Sequence, residues 1–395
     1  MQSIGTPGLW IGFTAVVALF IQYPGYKLMT AMTQFKGLPF DFMAFFFVFF
    51  YGLKTRRDVG MVLAVVLGAA VFANVISGLN GVGLLRLATI NEGETTDRVQ
   101  GVMAEHNQYG AFIAFFIPLL VAAVVANRGW RRLFWLAGSV ISFGLLMMTV
   151  SRGAFVALAA AAVIGAIRFR QQLLNAKVLG WLFGGLVVGT LVVLGVLFGT
   201  SYGATLIDRL LGDSTQIDMW EVSSGRTELW ADALGQMMRT PLTLLTGFGW
   251  ATYFVLPSAL PLAPHNTYLW YWFELGLIGV IAFAAILLQL IVMASRSAGQ
   301  ALGGDRAYFV GFFIGMTALA IAIFFVEIYT PWPYIWATAG IVMRLAMIVS
   351  DEQNAPVKAP APDTATAEPK TKALAPDRFG WNAAAAQRGK TPGTI

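Results

Sequence analysis

The 395-residue sequence contains no cysteine, and Asp, Glu, Lys and Arg together make up only 12% of it. Without cysteine there are no disulfides, no zinc–thiolate centres and no thiol nucleophile. Soluble domains carry about a quarter charged residues. Half that share, in a chain that is 57% hydrophobic, describes a protein whose surface faces lipid. Histidine is nearly absent too, with His106 and His265 the two in the chain. The net charge of +6 comes with no basic stripe interleaved with aromatics, which reads against nucleic acid as a partner. No Lys or Arg precedes the first apolar run and no small-residue cleavage pattern follows it, which reads against a cleavable signal peptide.

What the sequence does have is long apolar runs. A spanning helix needs about 20 mainly apolar residues. Candidate runs lie at 8–24, 38–53, 59–80, 107–127, 133–150, 153–168, 178–200, 266–293, 307–328 and 331–349. Strands would leave unpaired edges in lipid, so the fold class is all-α: a polytopic bundle of about ten transmembrane helices. Basic clusters orient it. Lys54, Arg56 and Arg57, then Arg128, Arg131 and Arg132, then Arg168, Arg170 and Lys177, then Arg296 and Arg306 fall in alternate loops. Cytoplasmic loops carry that excess of positive charge. The remaining loops are then extracytoplasmic: 81–106, the turn at 151–153, the long loop at 201–265 and the turn near 329–331. Lys27 and Lys36 conflict with this scheme, because it places their loop outside. Residues 1–350 read as the membrane domain. Residues 351–395, rich in Ala, Pro, Thr and Lys, read as a disordered cytoplasmic tail.

The polar chemistry gathers in the outer loops. Arg152 sits in Thr149-Val150-Ser151-Arg152-Gly153-Ala154 between two apolar runs, where a cation is costly and rarely idle. Its planar fork suits bidentate phosphate binding. From Ser224-Gly225-Arg226 to about Arg239 the pattern predicts an amphipathic surface helix, capped by Ser223 or Ser224 and closed by Pro241. Arg226, Trp230, Ala233 and Met237 share one of its faces. Pro264-His265-Asn266-Thr267-Tyr268 opens the eighth run. A histidine near its ordinary pKa takes and gives protons at neutral pH, as a general base for a sugar hydroxyl must. His265, Tyr268 and Trp272 fall on one helical face, whereas Glu274 points away and is assigned to a neighbouring helix. Arg98, near the end of the first long outer loop, is a further cation on this side. Three cations and one proton-transfer group suit a polyanionic donor and a hydroxyl acceptor.

Four segments, in order, carry a resemblance: Arg98-Val99-Gln100-Gly101 with Asn107; Thr149-Val150-Ser151-Arg152-Gly153-Ala154; Gly225-Arg226-Thr227-Glu228-Leu229-Trp230 with Gly247-Phe248-Gly249; and His265-Asn266-Thr267-Tyr268-Leu269 with Glu274-Leu275-Gly276 and Gly279. Together they resemble the O-antigen ligase/polymerase family of membrane glycosyltransferases. The resemblance implies a saccharide donor linked to undecaprenyl diphosphate and held at the periplasmic face of the inner membrane. The implied acceptor is lipid A-core in a ligase, or another glycan chain in a polymerase. Arg152, Arg226 and Arg98 would hold the diphosphate, and His265 would act as base. Asn266, Tyr268 and Glu274 would support it. Neither a metal nor another cofactor is implied. Fewer spans precede the Arg98 motif than the family pattern has. Two readings of other classes compete: a secondary transporter, which would place ionisable groups near the midplane within repeated halves, and a non-catalytic envelope-assembly scaffold. The sequence leaves the sugar, the linkage and the oligomeric state open.

Overall fold

A computed structural model describes residues 27–81, 84–85, 99–103, 105–173, 225–239, 241–255 and 262–354, with isolated helical positions between 189 and 199. Every regular element among the described residues is helical. In chain order these are α1 (Leu28–Phe35), a π-helical turn (Lys36–Phe40), α2 (Asp41–Gly52), α3 (Arg56–Gly81), α4 (His106–Ala126), α5 (Gly129–Thr149), α6 (Arg152–Arg168) and α7 (Arg170–Leu173). They continue as α8 (Arg226–Arg239), α9 (Pro241–Thr246), α10 (Thr267–Gln300), α11 (Gly303–Ala322) and α12 (Trp332–Asn354).

Among the described residues six helices, α3, α4, α5, α10, α11 and α12, are long and apolar enough to cross a membrane. The chain is thus a multi-pass helical membrane protein. α6 adds a 17-residue apolar helix where the sixth run was read. The run at 8–24 and most of that at 178–200 lie outside the described residues.

Helix starts follow local chemistry. Thr55 and Asp58 cap α3 reciprocally: each backbone N–H donates to the other's side chain, at 2.9 and 3.1 Å. Glu105 caps α4 and Asn266 caps α10 through their side-chain oxygens. In the bundle, α4 and α11 approach closely because α11 offers Gly311 and Gly315 to the backbone of α4. A methyl group on either would lie 2.6 Å from the Pro118 carbonyl oxygen or 2.4 Å from that of Phe115. Small residues one turn apart permit this contact in lipid, where apolar burial alone gives helices little reason to associate. A buried polar chain ties three helices together. Tyr109 of α4 donates to Asn74 of α3 at 2.9 Å, and Asn74 donates to Ser142 of α5 at 2.8 Å.

Three expectations need correction. The loop assigned before residue 38 is helical from Leu28, and Lys36 lies in the π-helical turn paired with Asp41 at 2.9 Å. The run read as a span over 307–328 stops at Ala322. There the Ile323 and Val326 carbonyls accept the Thr267 backbone N–H, and residues 323–331 form a loop despite their apolar content. The last helix passes residue 350 and runs to Asn354, and within it Glu352 pairs with Arg56 at 3.5 Å.

Arg56 also pairs with Asp305 at the start of α11. This marks one end of the bundle, where α3 and α11 begin and α10 and α12 finish. The opposite end gathers the 150–152 turn, the start of α4, the start of α10 and the 323–331 loop.

Candidate functional site

At that opposite end a cavity of about 230 Å³ opens between helix termini. Its lining includes Glu105, His106, Ser151, Arg152, Arg226 and His265. Three of the four principal residues singled out in the sequence therefore meet in one place. They come from the start of α6, the start of α8 and the loop before α10. Arg98 lies outside the described residues, although its neighbour Val99 donates a backbone hydrogen bond to Met148 at 3.1 Å, near the end of α5.

Each side chain is placed by its backbone. α5 ends at Thr149, and the Val150 that follows it, with a φ of 50°, turns the chain sharply and leaves Arg152 as the first residue of α6. Ser151 donates to Asn107 of α4 at 3.0 Å and so fixes this turn against the neighbouring helix. α8 begins at Arg226 directly after Gly225, which has a φ of 73°. Its buried residues are Leu229, Ala233 and Met237, and Trp230 beside them donates to the Pro264 carbonyl at 2.7 Å. The amphipathic helix is thereby moored one residue from His265. The positions of Ser223 and Ser224 lie outside the described residues.

His265 itself has a φ of 49°, a left-handed conformation uncommon for residues other than glycine. Its Nδ1 lies 3.1 Å from Oε2 of Glu327, in the loop between α11 and α12. The interaction with Glu327 is the main cause that raises the His265 pKa. Burial opposes the shift, Glu105 adds to it and Arg226 works against it. Glu105 is pushed upward chiefly by burial and also by Glu327, against the pull of the Asn107 and Gln108 backbone N–H groups it caps. His106 Nε2 lies 3.4 Å from Oε1 of Glu105.

Of the helix N-termini that border this cavity, those of α4 and α6 differ. The Glu105 carboxylate already occupies the first-turn N–H groups of α4. The start of α6 has no side-chain cap and carries Arg152. An anion is favoured where helix-end N–H groups and a guanidinium coincide. Among the described residues no group of three or more His, Asp or Glu side chains is arranged to hold a metal ion.

The supporting residues occupy other positions than the sequence suggests. Asn266 caps α10 through the Leu269 N–H at 3.0 Å and is buried. Tyr268 donates to the Ala320 carbonyl on α11 at 2.8 Å, whereas Trp272 donates to the Leu244 carbonyl on α9 at 2.9 Å. His265 precedes the helix, so these three side chains form no common face. Among the described residues, Glu274 is held by the loop after α9 and not by a neighbouring helix. Oε1 accepts the Tyr253 backbone N–H at 3.3 Å, from the loop after α9. That loop packs where α10 kinks at Gly276, with φ 70° and ψ −179°. The Gly249 N–H donates to the Glu274 carbonyl at 2.9 Å. A methyl group on Gly276 would lie 2.1 Å from the Leu245 carbonyl oxygen, and one on Gly247 would lie 2.3 Å from that of Glu274. Both glycines also have positive φ, so the contact requires glycine on both sides.

Residues 137–284 match the family model described as O-Antigen ligase. The matched segment contains Arg152, Arg226 and His265, while Glu105 and Glu327 fall outside it. No curated protein matches the chain.

Proposed function

Because the chain carries the domain of the O-antigen ligase family, we propose that it transfers a saccharide from an undecaprenyl-diphosphate-linked donor to a hydroxyl of a lipid A-core or glycan acceptor, at the periplasmic face of the bacterial inner membrane. The observation that carries this reading is the convergence of Arg152, Arg226 and His265 on one cavity from three distant segments. Two guanidinium groups beside the uncapped start of α6 suit a diphosphate.

In the proposed step the acceptor hydroxyl attacks the anomeric carbon. A new glycosidic C–O bond forms as the bond from that carbon to the phosphate oxygen breaks. The electron pair leaves with the diphosphate, and the hydroxyl proton passes to His265. Arg152 and Arg226 stabilise the charge that grows on the leaving group, an effect largest in a site with little water. Arg98 is the proposed third cation on the diphosphate. Asn266, Tyr268 and Glu274 act at a distance, by fixing the start of α10 and the loop after α9.

Reconstitution with a polyprenyl-diphosphate oligosaccharide and a panel of acceptors, without metal or nucleotide sugar, tests the proposal. Transfer by the wild type, lost in folded His265→Ala and Arg152→Ala variants, is the expected outcome. The accepted acceptor separates a ligase from a polymerase. Full activity in both variants would overturn the site assignment.

A further inference from the structure

Glu327 is the most buried acid facing the cavity residues, with a side chain only 7% exposed, and sequence patterns give it no role. The structure spends much of its local hydrogen bonding on holding it. The Thr267 hydroxyl donates to the Val326 carbonyl at 2.8 Å and accepts the Ile328 N–H at 3.1 Å, gripping the chain on both sides of Glu327. Gln108 of α4 accepts the N–H groups of Tyr329 and Thr330 at 3.2 and 3.3 Å. On the other side of the pair, His265 is fixed between Pro264, tied to Trp230, and Asn266, which caps α10. Four elements thus converge to bring one carboxylate to one imidazole nitrogen. Both contacting atoms, His265 Nδ1 and Glu327 Oε2, are shielded from solvent, and their contact is an ion pair at 3.1 Å outside hydrogen-bond alignment.

We propose that Glu327 is a positioning residue that holds neutral His265 as its Nδ1–H tautomer, leaves Nε2 as the basic nitrogen for the acceptor hydroxyl, and stabilises the imidazolium formed when the proton is taken. This rests on the reading of His265 as the base. A neutral imidazole has one donor and one acceptor nitrogen, and a carboxylate at Nδ1 decides which is which. With Nδ1 occupied, the pair of electrons that accepts a proton sits on Nε2. As the proton arrives, the adjacent carboxylate lowers the energy of the cation.

The other charged groups around the ring do not take over this role. Glu105 faces it from the start of α4 but is engaged in capping that helix, and His106 lies against Glu105. Arg226 from α8 and Arg152 from α6 line the same cavity, and cations disfavour a charged imidazole. Glu327 is the acid at contact distance, so its removal outweighs changes at the more distant groups.

The chain has two histidines, so histidine-selective ¹⁵N and ¹³C labelling gives two ring systems in the full-length protein, and His106→Gln assigns them. In the wild type, neutral His265 is expected as the Nδ1–H tautomer, titrating above the ordinary histidine range. Glu327→Gln lowers that midpoint. Glu327→Leu also releases the tautomer toward the Nε2–H form that dominates in free histidine. In transfer assays both variants lose about 10- to 100-fold in kcat, less than His265→Ala, while KM for the donor stays put. In Glu327→Gln the pH–rate midpoint moves down together with the spectroscopic one. Glu327→Asp recovers part of both effects. A purely structural acid would alter stability and leave the His265 midpoint in place. An unchanged midpoint alongside intact wild-type transfer overturns the pairing and spares the transferase reading. A midpoint that depends on Glu327 in a wild-type protein without transfer activity overturns the transferase reading and leaves the pairing.

Discussion

Replacing Thr267 by valine tests whether the 323–331 loop is held as the structure indicates, because the two side chains have the same shape. The substitution deletes the hydroxyl that donates to Val326 and accepts from Ile328. The Val326 carbonyl keeps a second partner, the Thr267 backbone N–H at 3.2 Å. The Ile328 N–H loses its bond to the hydroxyl at a residue that is 0% exposed. A lost hydrogen bond costs about 1 kcal/mol net, and an orphaned buried donor adds about 1–2 kcal/mol. The sum, about 2–3 kcal/mol, falls on local opening of the loop, and at about 1.4 kcal/mol per tenfold it makes opening roughly 30- to 150-fold more frequent. Hydrogen–deuterium exchange of the peptide covering residues 323–331 reads this directly, while the peptide covering α4 serves as internal reference. Transfer activity should fall in parallel, since Glu327 loses its fixed place beside His265. Unchanged exchange in that peptide would refute the assignment of Thr267 as the clasp of the loop.

Arg152→Ala should lower the rate of transfer by about 100- to 1,000-fold, the usual cost of removing one preorganised stabiliser of developing negative charge. Arg152→Lys should restore only part of it, because the charge returns without the planar fork, and full recovery would argue against bidentate phosphate binding. Turnover should rise with pH through a midpoint above the ordinary histidine range: the Glu327 contact favours the protonated ring, and only the neutral ring accepts a proton. A flat profile between about pH 5 and 8, with chemistry rate-limiting, would count against His265 as base. Gly276→Ala should lower the melting temperature markedly, since the new methyl meets the Leu245 carbonyl and φ is 70°. Gly299→Ala, in the same helix but facing open space, should be neutral or stabilising. Equal melting temperatures for the two variants would contradict the tight contact at the kink.

The membrane helices were legible because lipid imposes a simple requirement, a long run of apolar residues. Arg152 was legible by the same logic, as a charge where charge is expensive. The alternation of basic loops put Arg152, Arg226 and His265 on one side, and the structure brings them to one cavity. Glu327 went unnoticed because the apolar residues around it, from Ala322 to Ile328, extended the preceding run and hid a loop. The rule applied to Arg152 applies equally to this acid. Glu105 also carried a signal, an acid immediately before a helix start, which is a capping position. The partners of Tyr268, Trp272 and Glu274 were beyond reach of periodicity. Their contacts depend on the Gly276 kink and the loop after α9, a tertiary contact between segments far apart in sequence.

That kink has a mechanical consequence. α10 has 34 residues and would measure about 51 Å as an unbroken rod, well beyond the hydrocarbon depth of about 30 Å. Beyond Gly276, residues 277–300 span about 36 Å, a length that fits a bilayer with modest tilt. The nine residues before it, 267–275, are anchored instead to α9, to the loop after it and to the 323–331 loop. Gly276 therefore divides α10 into a part sized to lipid and a part fixed to protein. The kink is held by close packing, with the Gly276 backbone against the Leu245 carbonyl, so the two parts keep a fixed angle to each other. His265, just before the anchored part, is thereby set by protein contacts and not by the lipid-facing rod.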